Sequence, residues 1–377
     1  MSKLDVLIQN LCPNGVKFIP LKDAAKMQRG TAITKKDIGD GLFPVVAGGQ
    51  KPAYYCDSYN REGETITVAG SGAYAGYIAY WNEPIFVSDA FSIKGNDNSC
   101  TRYLFHVLQN LQEKIYATKK GGGVPHVHIS SIENFRIPLP PLPVQQEIVR
   151  ILDNFMELNK KLDEELAARR KQYEHYRDEL LTFGDDVPRI SLGEVGPVCM
   201  CKRILKSQTN DIGGVPFYKI GTFGKQANAY ISEETYEEYR SKYNFPKKGD
   251  ILISAAGTIG RTVIYDGKPA YFQDSNIVWV ANDETKILNR FLVYCYAMKP
   301  WYISTGGTIA RLYNDNILRA IIPAPSLERQ AFIVDTLDRF DALCNDLTSG
   351  LPAEIAARQK QYEYYRDKLL TFKELEG

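Results

Sequence analysis

Two glycine-rich basic loops hold the residue types in this sequence that are best suited to binding an anion. Glycine lets backbone amides approach an anion closely, and Lys, Arg, Ser and Thr side chains supply phosphate contacts. The alternative is a pair of ordinary surface turns. The candidate phosphate-binding residues are Lys119, Lys120, Gly121, Gly122, His126 and His128 in the first loop and Ser304, Thr305, Gly306, Gly307, Thr308 and Arg311 in the second.

Two basic clusters provide further candidates, although single charges in such clusters are more often solvated than bound. One cluster follows residue 25 and the other follows residue 201. Their candidate residues are Arg29, Lys35 and Lys36 in the first cluster and Lys202, Arg203 and Lys206 in the second.

Signals for catalysis fail on inspection. The Gly70-Ser-Gly72-x3-Gly76 run resembles a nucleotide-binding glycine loop, but a strand pattern follows it where a helix is required. Asp274 with Glu284-x-Lys286 has nuclease-like spacing in one half of the sequence only. Cys199-x-Cys201 and His126-x-His128 do not make a four-ligand zinc set. We therefore expect no catalytic residue, no metal and no cofactor bound by this chain.

The sequence is internally duplicated. EELAARRKQYEHYRDELLTF (164–183) recurs as AEIAARQKQYEYYRDKLLTF (353–372), and IPLPPLPVQQEIVRILD (137–153) aligns with IPAPSLERQAFIVDTLD (322–338). An offset of 185 residues also carries Asp89 onto Asp274, whereas Leu21 matches Leu192 at 171. The second copy has thus gained about fourteen residues, which we place around 237–250. A period this long indicates duplicated domains and not a solenoid.

The closely repeated stretches predict long helices that pair. Apolar residues alternate at steps of four and three, which is the heptad pattern of a coiled coil. Because each copy carries the same seam, an antiparallel pair is favoured over two helices that each lie on their own domain. A helix of 38 residues would be about 57 Å long. The pairing residues are predicted to be Ile148, Leu152, Phe155, Leu162, Leu166, Tyr173, Tyr176 and Leu180, with Ile333, Leu337, Phe340, Leu347, Ile355, Tyr362, Tyr365 and Leu369.

The divergent stretches predict compact β-rich domains with one helix each. Short β-branched and aromatic runs such as ETITVAG and DILISAAG alternate with Gly, Asn and Pro. The predicted helices cover 101–116 and 289–303. The predicted fold is α+β, with two β-rich globular domains separated by two long helices in a pseudo-two-fold repeat. The boundaries are 1–144, 145–184, 185–328 and 329–377.

Composition agrees with a globular protein. The 377 residues are 44% apolar and 24% charged, and the net charge of +1 requires any nucleic-acid surface to be a local patch. Seven cysteines without C-x2-C spacing fit a reducing compartment. With no signal-peptide pattern at Met1 and no apolar run of membrane-spanning length, we expect a cytoplasmic location and no membrane contact.

The proline-rich IPLPPLPVQQEIV leading into a heptad helix that ends KQYEHYRDELLTF, all of it duplicated, resembles the specificity subunit of type I restriction–modification systems. The resemblance implies that 1–144 and 185–328 are target-recognition domains reading the halves of an asymmetric, bipartite double-stranded DNA site. It implies that 145–184 and 329–377 are spacer helices that dock two copies of a DNA methyltransferase subunit. S-adenosylmethionine, ATP and magnesium then belong to the partner subunits, which can include restriction and motor subunits.

Two alternatives and one local hypothesis accompany this interpretation. A bifunctional methyltransferase or nuclease would need a catalytic motif that the sequence lacks, and an adhesin-like protein would need a signal peptide. The second copy also carries four extra residues, Ser349-Gly350-Leu351-Pro352, and Pro352 is expected to kink or break the helix. We expect this insert to influence the gap between the two half-sites.

Overall fold

The computed structural model describes residues 2–34, 39, 41–121, 123–302 and 311–375. The chain forms two compact units. Unit 1 comprises Met1–Glu164 and Ala353–Gly377, and unit 2 comprises Glu165–Pro352. The C-terminal helix of the second copy therefore belongs to the unit that contains the first divergent domain.

The first copy contains nine strands and six α-helices among the described residues. The strands are β1 (Lys17–Pro20), β2 (Ala25–Arg29), β3 (Phe43–Val46), β4 (Tyr54–Cys56), β5 (Thr65–Ala69), β6 (Ile78–Trp81), β7 (Phe86–Val87), β8 (Ala90–Gly95) and β9 (Arg136–Leu139). The helices are α1 (Lys3–Leu11), α2 (Leu21–Ala24), α3 (Thr101–Asn110), α4 (Gln112–Tyr116), α5 (Ile129–Ile132) and α6 (Leu142–Leu180).

The second copy repeats the order of the nine strands but not the full set of helices. Its strands are β10 (Arg189–Ser191), β11 (Val198–Cys199), β12 (Val215–Tyr218), β13 (Tyr230–Ile231), β14 (Ile251–Ser254), β15 (Thr262–Ile264), β16 (Tyr271–Phe272), β17 (Ile277–Val280) and β18 (Ile321–Pro323). Its helices are α7 (Leu192–Val195), α8 (Glu233–Lys242), α9 (Asn289–Ala297), α10 (Asn314–Leu318), α11 (Leu327–Asn345) and α12 (Leu351–Leu369).

The two units share one sheet topology, which confirms the predicted α+β repeat. Unit 1 has sheets ordered β2-β8-β5-β6, β4-β3-β7 and β1-β9. Unit 2 has the matching sheets β11-β17-β14-β15, β13-β12-β16 and β10-β18. In each three-stranded sheet the central strand pairs in parallel with one neighbour and antiparallel with the other. The additional helix α8, which the sequence did not reveal, accounts for part of the insertion expected at 237–250.

Each unit closes its core with a helix pair. In unit 1, Tyr362 of α12 and Leu370, the residue that follows this helix, join the core cluster that contains Ile148 and Leu152 of α6. In unit 2, Tyr173 of α6 packs against the cluster formed around Ile333 and Leu337 of α11. Each unit is thus completed by a repeated helix from the other copy.

Ring and amide contacts give the direction of the helix pair in unit 1. Phe155 stacks on Tyr365 with centroids 5.3 Å apart, and the amide nitrogen of Asn159 donates to Gln359 at 3.2 Å. Moving toward the C-terminus of α6 therefore moves toward the N-terminus of α12, and the pair is antiparallel. In unit 2 Tyr176 meets Phe340 of α11 at 5.5 Å. Leu162 is buried, while Leu166, Leu180, Ile355 and Leu369 are half-buried.

The second repeated stretch is two helices with a structured turn between them, and this corrects one seam residue. α11 ends at Asn345, and Leu347 lies beyond it with 79% of its surface exposed, so Leu347 is not a pairing residue. Asp346 organises the turn by accepting from the Thr348 amide at 2.7 Å, and its hydrogen bonds, chiefly from Ser349, lower its pKa to about 2. Pro352 follows the break as the second residue of α12, where a missing amide hydrogen costs little.

A buried glutamine at the start of each spacer helix attaches that helix to its own domain. The Gln145 side chain accepts from the Cys100 amide at 2.8 Å and donates to the carbonyls of Asn98 at 2.9 Å and Pro140 at 2.7 Å. Gln330 repeats all three bonds, with the Leu288 amide and the carbonyls of Lys286 and Pro325, each at 2.8 Å. Both glutamines are 0% exposed.

An aspartate about two helical turns later makes a second repeated attachment. In unit 1 Asp153 accepts from Arg102 at 2.8 Å and from the buried His106 ring at 2.9 Å. In unit 2 Asp338 accepts from Arg290 and from the hydroxyl of Tyr294. Burial, the largest influence, lowers the pKa of His106 below its ordinary value although the charge of Asp153 opposes this.

We predict that Gln145→Ala destabilises unit 1 by about 2 kcal/mol or more, because it leaves the Cys100 amide and two carbonyls without their partner. Gln330→Ala should destabilise unit 2 in the same way. Gln146→Ala is the matched control, since Gln146 is exposed. Pulse proteolysis across a urea series, with fragments identified by mass, measures both units. Equal midpoints for Gln145→Ala and Gln146→Ala would contradict the role assigned to the amide.

We predict that His106→Tyr, which copies Tyr294 of unit 2, removes a pH-dependent part of the stability of unit 1. The folded state holds His106 neutral, so its contribution is present above the ordinary pKa of about 6.5 and is lost as pH falls below it. Arg102 and Arg366 also lower this pKa and are unchanged in the variant. The stability of the wild type minus that of the variant should be smaller at pH 5.5 than at pH 7.5. An identical difference at both pH values would refute this.

Candidate nucleic-acid interface

In unit 1 the first basic loop meets the end of strand β2. Arg29, His126 and His128 line one cleft together with Asp89. The two histidine rings stack with centroids 5.9 Å apart and planes within 9° of parallel. Arg29 therefore shares one surface with two predicted site residues, His126 and His128, that lie far from it in the sequence.

Backbone hydrogen bonds hold this loop in place. Lys120 and His126 exchange two backbone hydrogen bonds of 3.0 and 2.7 Å across the tip of the loop. Gly121 has φ of +115°, and a Cβ there would lie 2.5 Å from the Val124 carbonyl oxygen, so the turn needs glycine. The Val127 amide donates to the Gly70 carbonyl at 3.0 Å.

The glycine run that follows β5 makes backbone hydrogen bonds that support this loop. The Gly72 amide donates to the Pro125 carbonyl at 3.0 Å, and the Gly70 amide donates to the Asp89 carbonyl at 3.1 Å. These two amides therefore anchor neighbouring backbone, which is a different use from the cradling of a nucleotide phosphate.

Unit 2 repeats the anchor with different side chains. The Leu312 amide donates to the Ala255 carbonyl at 2.9 Å, which is the counterpart of the bond from Val127 to Gly70. Arg311, in the place of His126, donates to the Ser275 carbonyl at 2.7 Å. Ser275 has φ of +53°, an uncommon backbone conformation for a residue with a side chain, and the Arg311 bond helps to hold it.

A second cleft in unit 1 lies on the face of the four-stranded sheet that points away from the spacer helices. Lys26, Gln28 and Lys94 line it together with Arg61. Arg61 is only 8% exposed and donates to the Ser92 hydroxyl at 2.7 Å and to the Arg29 carbonyl at 2.8 Å. Its burial lowers the pKa of the guanidinium below its ordinary value. Together with Lys26 and Lys94 it gives the cleft three cationic side chains against one carboxylate, that of Glu62.

The same sheet face is apolar in unit 2. Lys26 pairs with Lys94 across β2 and β8, whereas Cys199 pairs with Trp279 at the matching register of β11 and β17. Trp279 and Leu252 pack into a core cluster with aromatic residues of the three-stranded sheet and of α8. This sheet face therefore lines an open cleft in unit 1, whereas in unit 2 it is buried in a core cluster, with Trp279 2% and Leu252 0% exposed.

The remaining candidates are placed as follows. The Lys119 ammonium lies 4.2 Å from the Tyr116 ring centroid, and that of Lys202 lies 5.0 Å from the Tyr243 ring centroid. Arg203 and Lys206 are exposed, with Lys206 opening a short 3₁₀ turn over Lys206–Gln208. The predicted residues outside the described parts of the chain are Lys35, Lys36, Gly122, Ser304, Thr305, Gly306, Gly307 and Thr308.

Glu284 and Lys286, which the sequence analysis considered as part of a nuclease-like set, each contact a backbone group of this chain. Glu284 accepts from the Asn289 amide at 2.7 Å, and the Lys286 ammonium lies 3.5 Å from the Glu194 carbonyl. No group of three or more His, Cys, Asp or Glu side chains among the described residues is arranged to hold a metal ion. Within the same residues, no helix has the length and apolar character needed to cross a bilayer.

Sequence reasoning missed Arg61 and Lys94 as site residues. Neither belongs to a basic cluster, and only the pairing of β8 with β2 brings Lys94 beside Lys26. The available signal was the offset of 185 residues, since it aligns Lys94 with the apolar Trp279 and Thr67 with Leu252.

Comparisons with known proteins agree on one family. The model of the type I restriction modification DNA specificity domain matches residues 13–168 and 185–357. A Haemophilus influenzae protein named as a type I restriction enzyme specificity subunit is 47% identical over 338 residues, which is 84% of this chain and 85% of that protein. The specificity subunit of an Escherichia coli type I restriction enzyme is 27% identical, covering 99% of this chain and 98% of that protein.

The fold is also similar to that of solved structures. The S subunit of a type I restriction-modification system from M. genitalium superposes with a TM-score of 0.61 at 17% identity, covering 94% of this chain and 96% of that chain. At this identity the likeness concerns the fold alone.

Proposed function

Because the chain belongs to the type I restriction–modification DNA specificity family, we propose that it recognises a bipartite DNA target, one half-site in each unit. It is the DNA-recognition component of such a system and not its catalyst. The proposal assigns target recognition to 1–144 and 185–328, and the spacer role to 145–184 and 329–377.

The observation that carries this proposal is the contrast between the two sheet faces. Three cationic side chains, those of Lys26, Lys94 and the buried Arg61, face the cleft of unit 1 against the one carboxylate of Glu62. In unit 2, Trp279 and Leu252 bury the matching sheet face in the core, so the described part of that unit has no such open cleft. Two recognition domains that share one fold but differ at this sheet face suit a DNA target whose two half-sites differ in sequence. A symmetric dimer would present two identical recognition surfaces, whereas duplicated domains in one chain can differ from each other.

We divide the proposed DNA contacts by chemistry. Lys119, Lys120, Arg29 and Arg311 supply cationic groups of the kind that fix register on phosphates. Gln28, His126 and His128 can both donate and accept hydrogen bonds, as reading of base edges in the major groove requires. Lys202, Arg203 and Lys206 take the phosphate role in unit 2.

The partners follow from the same family membership. A specificity subunit works with methyltransferase subunits and DNA, and we propose that two methyltransferase copies dock on the spacer helices. They would supply S-adenosylmethionine, and restriction or motor subunits would supply ATP hydrolysis with magnesium. A cytoplasmic location, where the DNA is, belongs to the same proposal.

Arg29→Ala and Lys120→Ala, each in the complex with the methyltransferase, should weaken binding to a target duplex. If each residue neutralises one phosphate, the slope of log affinity against log salt should decrease by about 1 per substitution. Lys22→Ala, which removes an exposed lysine of α2, is the control and should keep both affinity and slope. Unchanged slopes for Arg29→Ala and Lys120→Ala would remove both residues from the interface.

Deleting 349–352 should change the preferred gap between the half-sites. This segment ends the turn held by Asp346 and contains Gly350, where a Cβ would lie 2.5 Å from the Ala342 carbonyl oxygen at the end of α11. Four residues of continuous helix would span about 6 Å, near two base-pair rises of about 3.4 Å. Ser349 and Gly350 lie in the turn before α12, so the deletion also removes part of that turn. Sequencing of methylated adenines across a genome measures the gap. Ser349→Ala keeps the length and should keep the gap, and an unchanged target after the deletion would refute the role of the insert.

A further inference from the structure

The cleft on the outer sheet face of unit 1 contains a buried cation that lacks a partner of opposite charge within the described chain. Arg61 is 8% exposed, and its hydrogen bonds to described residues go to neutral oxygens, namely the Ser92 hydroxyl and the carbonyls of Asn60 and Arg29. No ion pair among the described residues includes it. A guanidinium has more N–H donors than these three bonds use. Because a buried charge is costly unless an opposite charge pairs with it, the site favours an anion.

Two lysines of the sheet face the same cleft. Lys26 of β2 is directly opposite Lys94 of β8, and such cross-strand pairs share one face of the sheet. Like charges in this arrangement destabilise the pairing of the strands. The Lys94 ammonium donates to the neutral Glu62 carbonyl, and neither lysine belongs to an ion pair of the described chain. An anion bound between the two ammonium groups would offset their repulsion.

The cleft has the size and the charge for a phosphate group. Its volume is about 320 Å³, at the lower end of the range for small-ligand sites, roughly 300–1,000 Å³. The three cationic side chains line it against the one carboxylate of Glu62, which leaves two positive charges in excess. The Gln28 amide adds a neutral donor from β2. A guanidinium presents its N–H groups in a fork that matches two oxygens of a phosphate.

The matching sheet face of unit 2 provides an internal comparison. Cys199 and Trp279 form the cross-strand pair there, and neither side chain carries a cation. Trp279 and Leu252 are buried in a core cluster with the three-stranded sheet. A ligand of the cleft should therefore affect unit 1 and not unit 2.

We propose that the cleft lined by Lys26, Arg61 and Lys94 is a phosphate-binding site of unit 1, with the buried guanidinium as its anchor. The two lysines contact the phosphate oxygens from the strands, and Arg61 donates to them from the floor of the cleft. The phosphate group comes from the DNA backbone or from a free phosphate, since both present the same oxygens. The inference goes beyond the proposed function, because it assigns a ligand to this cleft and holds whether or not that ligand is DNA.

The first test measures binding of inorganic phosphate to the full chain by isothermal titration calorimetry, with chloride at equal ionic strength as the reference. Lys26→Gln, at an exposed side chain, should weaken phosphate affinity about tenfold by removing one charged donor. Glu62→Gln should strengthen it, because the one carboxylate of the cleft is lost. Lys22→Gln, at an exposed position of α2, is the charge-matched control and should bind as the wild type does. Arg61→Gln also removes three hydrogen bonds to its neighbours, so the exposed Lys26 carries the test.

Pulse proteolysis of the same proteins across a urea series shows which unit binds. A ligand that binds only the folded state stabilises it, so phosphate should raise the urea midpoint of unit 1 more than that of unit 2. Unit 2 reports the general stabilisation that phosphate gives to any folded protein. In Lys26→Gln the difference between the two units should shrink.

A target duplex, bound by the complex with the methyltransferase, identifies the source of the phosphate. If Lys26→Gln lowers duplex affinity and decreases the slope of log affinity against log salt by about 1, the phosphate belongs to DNA. If it weakens the binding of inorganic phosphate alone, the ligand is a free phosphate. The proposal is overturned if Lys26→Gln and Glu62→Gln leave both affinities at their wild-type values, since Arg61 then only holds the end of β2. A chain that binds phosphate but no duplex would contradict the proposed function and support this site.

Discussion

The attachment of each spacer helix to its domain through one buried glutamine is the interaction on which the rest of the architecture depends. A side-chain amide both donates and accepts, so Gln145 satisfies the Cys100 amide and two carbonyls only when the first turn of α6 has one orientation. Any other orientation would leave buried polar groups unpaired, at about 1–3 kcal/mol each. Gln330 imposes the same orientation on α11. The aspartates further along each helix add a second fixed point, so each helix leaves its domain at a defined angle.

With the helices fixed at their starts, the repeated seams complete each unit with a segment from the other copy. Tyr362 and Leu370 fill in unit 1 the role that Tyr173 and Leu181 fill in unit 2. This exchange explains why the helical stretches are closely repeated while the domains diverge. Each helix must fit the partner helix and the domain of the other copy, whereas the outer sheet faces have no common partner to fit. The polar face around Arg61 and the apolar face around Trp279 are two outcomes of that freedom.

The sequence predicted what is periodic or repeated and missed what depends on tertiary contacts. Steps of four and three residues located the spacer helices, and the offset of the repeat identified equivalent strands before any pairing was known. The sequence showed Gln145 and Gln330 only as members of the repeated motif. Their hydrogen-bond partners could not be predicted, because two of the three lie in a segment that only the fold brings close. Leu347 continued the heptad spacing, but Asp346 and Gly350 stop the helix before that residue is reached. α1 gave no signal of covering Glu147, whose carboxylate binds the Lys3 ammonium at 2.9 Å, since an exposed glutamate is the usual expectation for a helix.

The anchoring of the basic loops shows how such a protein can change its target without changing its fold. Each loop is fixed to the strand edge by a backbone hydrogen bond, from Val127 to Gly70 in unit 1 and from Leu312 to Ala255 in unit 2. Backbone bonds do not depend on side-chain identity, so His126 in one loop and Arg311 in the other occupy the same position with different hydrogen-bonding groups. If side-chain hydrogen bonds anchored the loop instead, each substitution of an anchoring residue would also change the loop geometry. Here the loop geometry and the side chains proposed to face DNA are carried by different atoms, and so they can vary separately.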